Sequence, residues 1–102
     1  MASTLQRLCA WYRSQCDEEW EHHWGVKIGT LDNPGWWVDI DLEGTPLEPV
    51  PFAEHKDLYE HETDWIICRR EGQTFQIRCG PERLDAALHV FLDWVDSIET
   101  AG

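Results

Sequence analysis

The sequence predicts an α+β fold: an antiparallel β-meander of about four to five strands packed against an N-terminal and a C-terminal helix. Three observations carry this. A capped helical stretch opens the chain, two alternating stretches fold back on themselves around turn residues, and a long three-to-four-residue periodicity closes it. Helices at the two ends of an antiparallel sheet cover one face and leave the other to solvent.

Taken in order, Ser3-Thr4-Leu5-Gln6 has capping-box spacing, so the first helix should start near Ser3. Leu5, Leu8, Cys9, Tyr12 and Cys16 share one helical face and are expected to be its buried stripe, with Cys9 and Cys16 as small core residues. The acids from Asp17 to Glu21 oppose the helix macrodipole, so the helix should end there, with Trp20 and Trp24 anchoring the junction. Residues 25–31 then read as one arm of a hairpin turned by Asn33-Pro34-Gly35, with Gly35 supplying positive φ. In the other arm Trp36, Val38, Ile40 and Leu42 fall on one face and Trp37, Asp39 and Asp41 on the opposite one.

Prolines 46, 49 and 51 make an ordered loop or edge segment, residues 56–60 a short peripheral strand, and residues 61–64 a polar turn. A second hairpin joins residues 65–70 to residues 74–79 across Glu71-Gly72-Gln73, with Phe75, Ile77 and Cys79 on one face. Ile66 and Cys68 can face the core, but alternation alone also permits the opposite register. Gly80-Pro81-Glu82 should start the last helix, in which Leu84, Leu88, Phe91, Val95 and Ile98 recur on a core face and His89 falls toward the polar side.

At 102 residues the chain is expected to form one domain. No run approaches the roughly 20 apolar residues of a membrane span, and the start lacks a signal-peptide core, so a cytoplasmic protein with reduced cysteines is expected. The net charge is −12, and residues 17–64 hold 14 of the 20 acids against only Lys27 and Lys56. Phosphate would be repelled, which excludes nucleic acid and anionic membrane and favours a basic protein partner. The plainer reading is that the acidity keeps the domain soluble.

Chemistry is poorly supported. There is no glycine-rich phosphate loop, nucleophile elbow or H-E-x-x-H pattern. His22 and His23 with Asp39 and Asp41 would be the residues of a small metal-dependent enzyme, yet adjacent histidines do not share a helical face. Asp39 and Asp41 would stand about 6–7 Å apart at Cα, a spacing also found on ordinary solvated strands. Cys68 or Cys79 could pair with a histidine, but alternation sends Cys79 to the core. No catalytic residue, metal ligand or cofactor is therefore assigned.

The segments Leu8…Trp11-Tyr12…Gln15-Cys16-Asp17…Trp20-Glu21-His22, Gly25…Ile28-Gly29-Thr30-Leu31-Asp32-Asn33-Pro34-Gly35-Trp36, Ile40-Asp41-Leu42…Thr45, Asp64-Trp65…Cys68 and Phe75…Cys79-Gly80-Pro81 resemble the immunity protein 53 family. The likeness runs from about Leu5 to Trp94. It implies an intracellular antidote of a bacterial polymorphic toxin system, which binds a toxin domain and blocks it. Toxins that grip phosphate are basic, so an acidic inhibitor fits. The expected contact surface is Trp37, Asp39 and Asp41 with the acids Asp17, Glu18, Glu19, Glu21, Glu54 and Asp57. Two other readings stand beside it: the small metal-dependent enzyme and a generic acidic interaction domain. A further expectation leaves Trp37 packed under loop 46–51 with both Asp merely solvated.

Overall fold

A computed structural model of the chain describes residues 2–58 and 63–101. Helix α1 (Thr4–Gln15) starts where the capping box places it: Ser3 accepts from the Gln6 N–H and the Gln6 side chain accepts from the Ser3 N–H. A single turn, α2 (Trp20–His23), precedes strands β1 (Val26–Leu31), β2 (Gly35–Asp41), β3 (His55–Leu58), β4 (Trp65–Glu71) and β5 (Thr74–Cys79), and α3 (Leu84–Ala101) follows. The five strands form one antiparallel sheet, and the fold class is the α+β arrangement expected.

The spatial order is β1-β2-β5-β4-β3. Strand β2 pairs with β5 rather than with β3, so the chain from Leu42 to Glu54 must travel around the sheet before β3 begins on the far edge. Arg70 holds that connection by donating to the carbonyls of Leu47, Glu48 and Val50, while Leu47 and Thr45 are buried beneath it. The loop therefore lies on the helix side of the sheet, opposite Trp37, which does not pack under it. Residues 59–62, the end of the expected peripheral strand and the first half of the polar turn, lie outside the described residues.

One face of the sheet is the core. Val38, Ile40, Ile66, Cys68, Phe75, Ile77 and Cys79 are buried on it, which settles the register of β4 in favour of Ile66 and Cys68 inward. Helix α3 lays Ala87, Leu88, Phe91, Leu92 and Val95 over β4 and β5, and Phe75 contacts Phe52, Phe91 and Trp94 with ring centroids 4.8, 5.0 and 5.4 Å apart.

Helix α1 is rolled relative to the predicted stripe. Its buried residues are Thr4, Leu8 and Trp11, whereas Leu5 and Cys9 are exposed, Tyr12 is 38% exposed and Cys16 half-buried. The indole of Trp11 offers more apolar area than Cys9 and Cys16, and it meets Phe91 edge-on at 5.0 Å and Trp20 at 6.1 Å. The roll also brings Thr4 and Arg7 to His89, which is therefore not a free surface residue. Arg7 can only donate, so His89 Nδ1 accepts from it at 3.1 Å and Nε2–H donates to Thr4 Oγ1 at 2.7 Å. Arg7 also pairs with Asp93 and Asp96.

Two turn assignments change. Residues 80–83 form a turn closed by Arg83 N–H to Gly80 O, and α3 begins at Leu84 rather than at Pro81. Gly80 is held in that turn by its N–H to Trp65 O, so its neighbours cannot enter helical phase. Gly35 is already in β2 without positive φ. It is small because a Cβ there would run into the Cys79 carbonyl of the neighbouring strand.

Candidate interaction surface

The open face of the sheet is built by residues that alternate with the core. Trp37 lies on Gly29, the residue opposite it on β1, where a Cβ would overlap the indole. On the other side Trp37 is opposite Arg78, whose guanidinium carbon is 6.0 Å from the ring centroid. Arg78 also donates to Asp39 Oδ1 at 3.0 Å. Lys27 and Gln76 are the register partners of Asp39, and Arg69 Nε donates to Gln76 Oε1. Four bases, Lys27, Lys56, Arg69 and Arg78, thus share this face by register. The Asp39 charge is offset where it sits, and the centre of the open face is mixed rather than acidic.

The uncompensated acids are elsewhere, at the corner where α1, α2 and β1 meet. Asp17 Oδ1 accepts from the N–H groups of Glu19 at 3.0 Å and Trp20 at 2.8 Å. Glu21 reaches back to the N–H groups of Asp17 and Glu18 at 3.0 and 2.9 Å. These carboxylate acceptors satisfy the N–H groups of a chain reversal in which Glu18 takes φ 77°. The Asp17 carboxyl is held below its ordinary pKa by the N–H groups of Trp20 and Glu19. That of Glu21 is held low by its own N–H and those of Asp17 and Glu18. Trp20 fixes the corner to the body: it is 5% exposed and its Nε1 donates to Glu43 O at 2.8 Å. Asp41 belongs to the corner, since its Oδ2 accepts from Gly25 N–H at 2.9 Å.

Trp24 stands out of this corner at 39% exposure. A shallow groove of about 370 Å³ on one side is lined by Tyr12, Glu21, His22, Trp24, Lys27 and Asp41, and one of about 230 Å³ on the other by Asp17, Glu19, Trp20, His23 and Gly44. Among the described residues no Lys or Arg forms an ion pair with Asp17, Glu18, Glu19, Glu21 or Asp41.

The predicted contact residues therefore fall into three places. Asp17, Glu18, Glu19, Glu21 and Asp41 converge at the corner; Trp37 and Asp39 lie mid-face beside Arg78; Glu54 and Asp57 lie at β3, the opposite edge, with Glu54 3.7 Å from Lys56. Trp24, expected to be a junction anchor, is instead an exposed aromatic of the corner, beside Tyr12. Its signal in the sequence was its setting, an indole at the end of a charged run just before a strand.

The chemical candidates come apart. Asp39 and Asp41 turn to different partners and do not face each other across a cleft. Cys68 and Cys79 are fully buried, and burial pushes their thiols up to about 12 and about 11, so neither supplies a thiolate near neutrality. Among the described residues no three His, Cys, Asp or Glu side chains are grouped to hold a metal ion, and no helix is long and apolar enough to cross a membrane.

Residues 5–96 match the family model described as immunity protein 53. No curated protein and no solved structure matches the chain. The family match covers most of the sequence, and the chain belongs to the immunity protein 53 family.

Proposed function

We propose that this member of the family is the cytoplasmic antidote of a bacterial polymorphic toxin: it binds a basic toxin domain and blocks it, with no catalysis of its own. The acidic corner around Trp24 is the principal contact surface. The observation that carries this is Trp24 itself, a 39% exposed indole set between two grooves and ringed by acids that, among the described residues, no Lys or Arg pairs with. A large aromatic in a groove is the kind of residue that dominates interface energetics, and an uncompensated negative field speeds encounter with a basic partner. The Trp37–Asp39 patch is the second reading, favoured by its indole stacked beside Arg78.

The partner is identified by capture from lysate of the source cells at low and then high salt, with mass spectrometry. Three variants then locate the site. Glu18→Lys with Glu19→Lys reverses two charges whose side chains take no part in the turn, so the fold is kept while association slows roughly tenfold or more at low salt. Trp24→Ala weakens binding about 30-fold, corresponding to roughly 2 kcal/mol. Asp39→Lys changes binding little. The opposite pattern, with only the Asp39 variant impaired, moves the site to the open face; no stoichiometric toxin partner at either salt sinks the antidote reading.

A further inference from the structure

The free edge of β1 begins at the acidic corner. Asp41 N–H donates to Gly25 O at 3.0 Å, which fixes the phase of the hairpin. Gly25, Lys27, Gly29 and Leu31 turn their main-chain groups toward β2, and Val26, Ile28 and Thr30 turn theirs outward. Strand β1 ends the sheet, and among the described residues those outward N–H and C=O groups have no partner.

Proteins ordinarily guard such an edge with charge, proline or brevity. The other edge is guarded: three prolines, 46, 49 and 51, lead into β3, and Glu54 stands 3.7 Å from Lys56 where the strand begins. Strand β1 has six residues, no proline and one charge, Lys27, which alternation sends to the open face. On the helix side Ile28 is left 43% exposed, and Tyr12 and Val26 line the groove beside it.

We propose that this edge accepts an extended strand of the toxin, adding a sixth strand to the sheet. This rests on the antidote reading and specifies how the partner is held: main-chain hydrogen bonds to Val26, Ile28 and Thr30, apolar side chains over Ile28 and Tyr12, and basic residues where the added strand passes Glu21 and Asp41. Charge selects the occupant. A second copy of this chain would bring another −12 to the same edge, whereas a basic segment is attracted to it.

The test is amide hydrogen exchange on the free chain and on its complex with the toxin domain captured at high salt. In the free chain the amides of Val26, Ile28 and Thr30 exchange fast while those of Lys27 and Gly29 are slow. In the complex the first three slow by about 100-fold or more. Thr30→Pro removes one outward donor without touching the β1–β2 ladder, so it lowers toxin affinity about tenfold or more at an unchanged melting temperature, while Thr30→Ala stays within about threefold. A stable complex in which the three amides still exchange freely overturns the strand addition and leaves the antidote reading standing. Protection that appears in the free chain as its concentration rises assigns the edge to a second copy and also overturns it. The absence of any toxin complex removes both.

Discussion

Trp20 decides whether the acidic corner is a fixed surface. Helix α2 has four residues, too few to persist alone, so the segment from Asp17 to Trp24 depends on the docking of this one indole. The ring is 5% exposed, sits edge-on to Trp11 at 6.1 Å and to Tyr12 at 5.9 Å, and donates to Glu43 O. Truncating a buried Trp to Ala ordinarily costs about 3–5 kcal/mol. Here about 3 kcal/mol is expected, because the segment can detach locally instead of preserving a rigid cavity. That corresponds to a fall in melting temperature of roughly 12–24 °C for a domain of this size. Trp20→Phe keeps most of the ring and loses the N–H, leaving a half-buried carbonyl that water can reach, and should cost about 1 kcal/mol. Urea denaturation followed by far-UV circular dichroism measures both without relying on indole fluorescence. An Ala variant that loses less than about 1 kcal/mol would mean that α2 is not docked and the corner has no fixed shape. Equal losses for Phe and Ala would put the energy in the hydrogen bond rather than in the ring.

Three other outcomes follow from the same geometry. Phe75→Ala should lose about 3–5 kcal/mol, and Gln76→Ala, one residue along on the open face, less than about 1; the reverse order would show β5 inverted. A thiol reagent at pH 8 should modify Cys9 rapidly and Cys16 more slowly in the native protein, and reach Cys68 and Cys79 only after denaturation, because burial holds those two thiols protonated. Rapid native labelling of Cys68 would contradict the sheet register. The carboxyls of Asp17 and Glu21 titrate lower in the folded protein than in the unfolded chain, so their contribution is complete above an unfolded pKa of about 4 and disappears as pH falls through the folded values. The Glu19 and Trp20 amides should therefore stay protected from pH 7 to pH 5 and become labile only below about pH 4; loss of protection already at pH 6 would show that these two carboxylates do not hold the turn.

The sequence by itself determined the elements. The capping box at Ser3, the alternation through Trp36–Leu42 and Phe75–Cys79, and the periodicity from Leu84 to Ile98 are local patterns, and each appears in the structure; the two strands and the last helix also keep the core face as read, whereas the first helix does not. The family is legible there as well, because residues 5–96 match it as a sequence, before any arrangement in space enters. The candidate site was half legible: the acids of the corner stood out, but their separation from Asp39 did not. Only the tertiary structure decided which strands are neighbours, and neighbours decide charge. Pairing β2 with β5 brings Arg78 from 39 residues away onto Asp39 and beside Trp37, and turns a face that looked acidic along one strand into a mixed one across three. The roll of α1 was decided in the same way, by Trp11 competing with Cys9 and Tyr12 for the space that Trp20 and Phe91 leave. Alternation and helical period report which side of an element is apolar; contacts between residues far apart in the chain set what that side meets, and a single strand or helix carries no record of them.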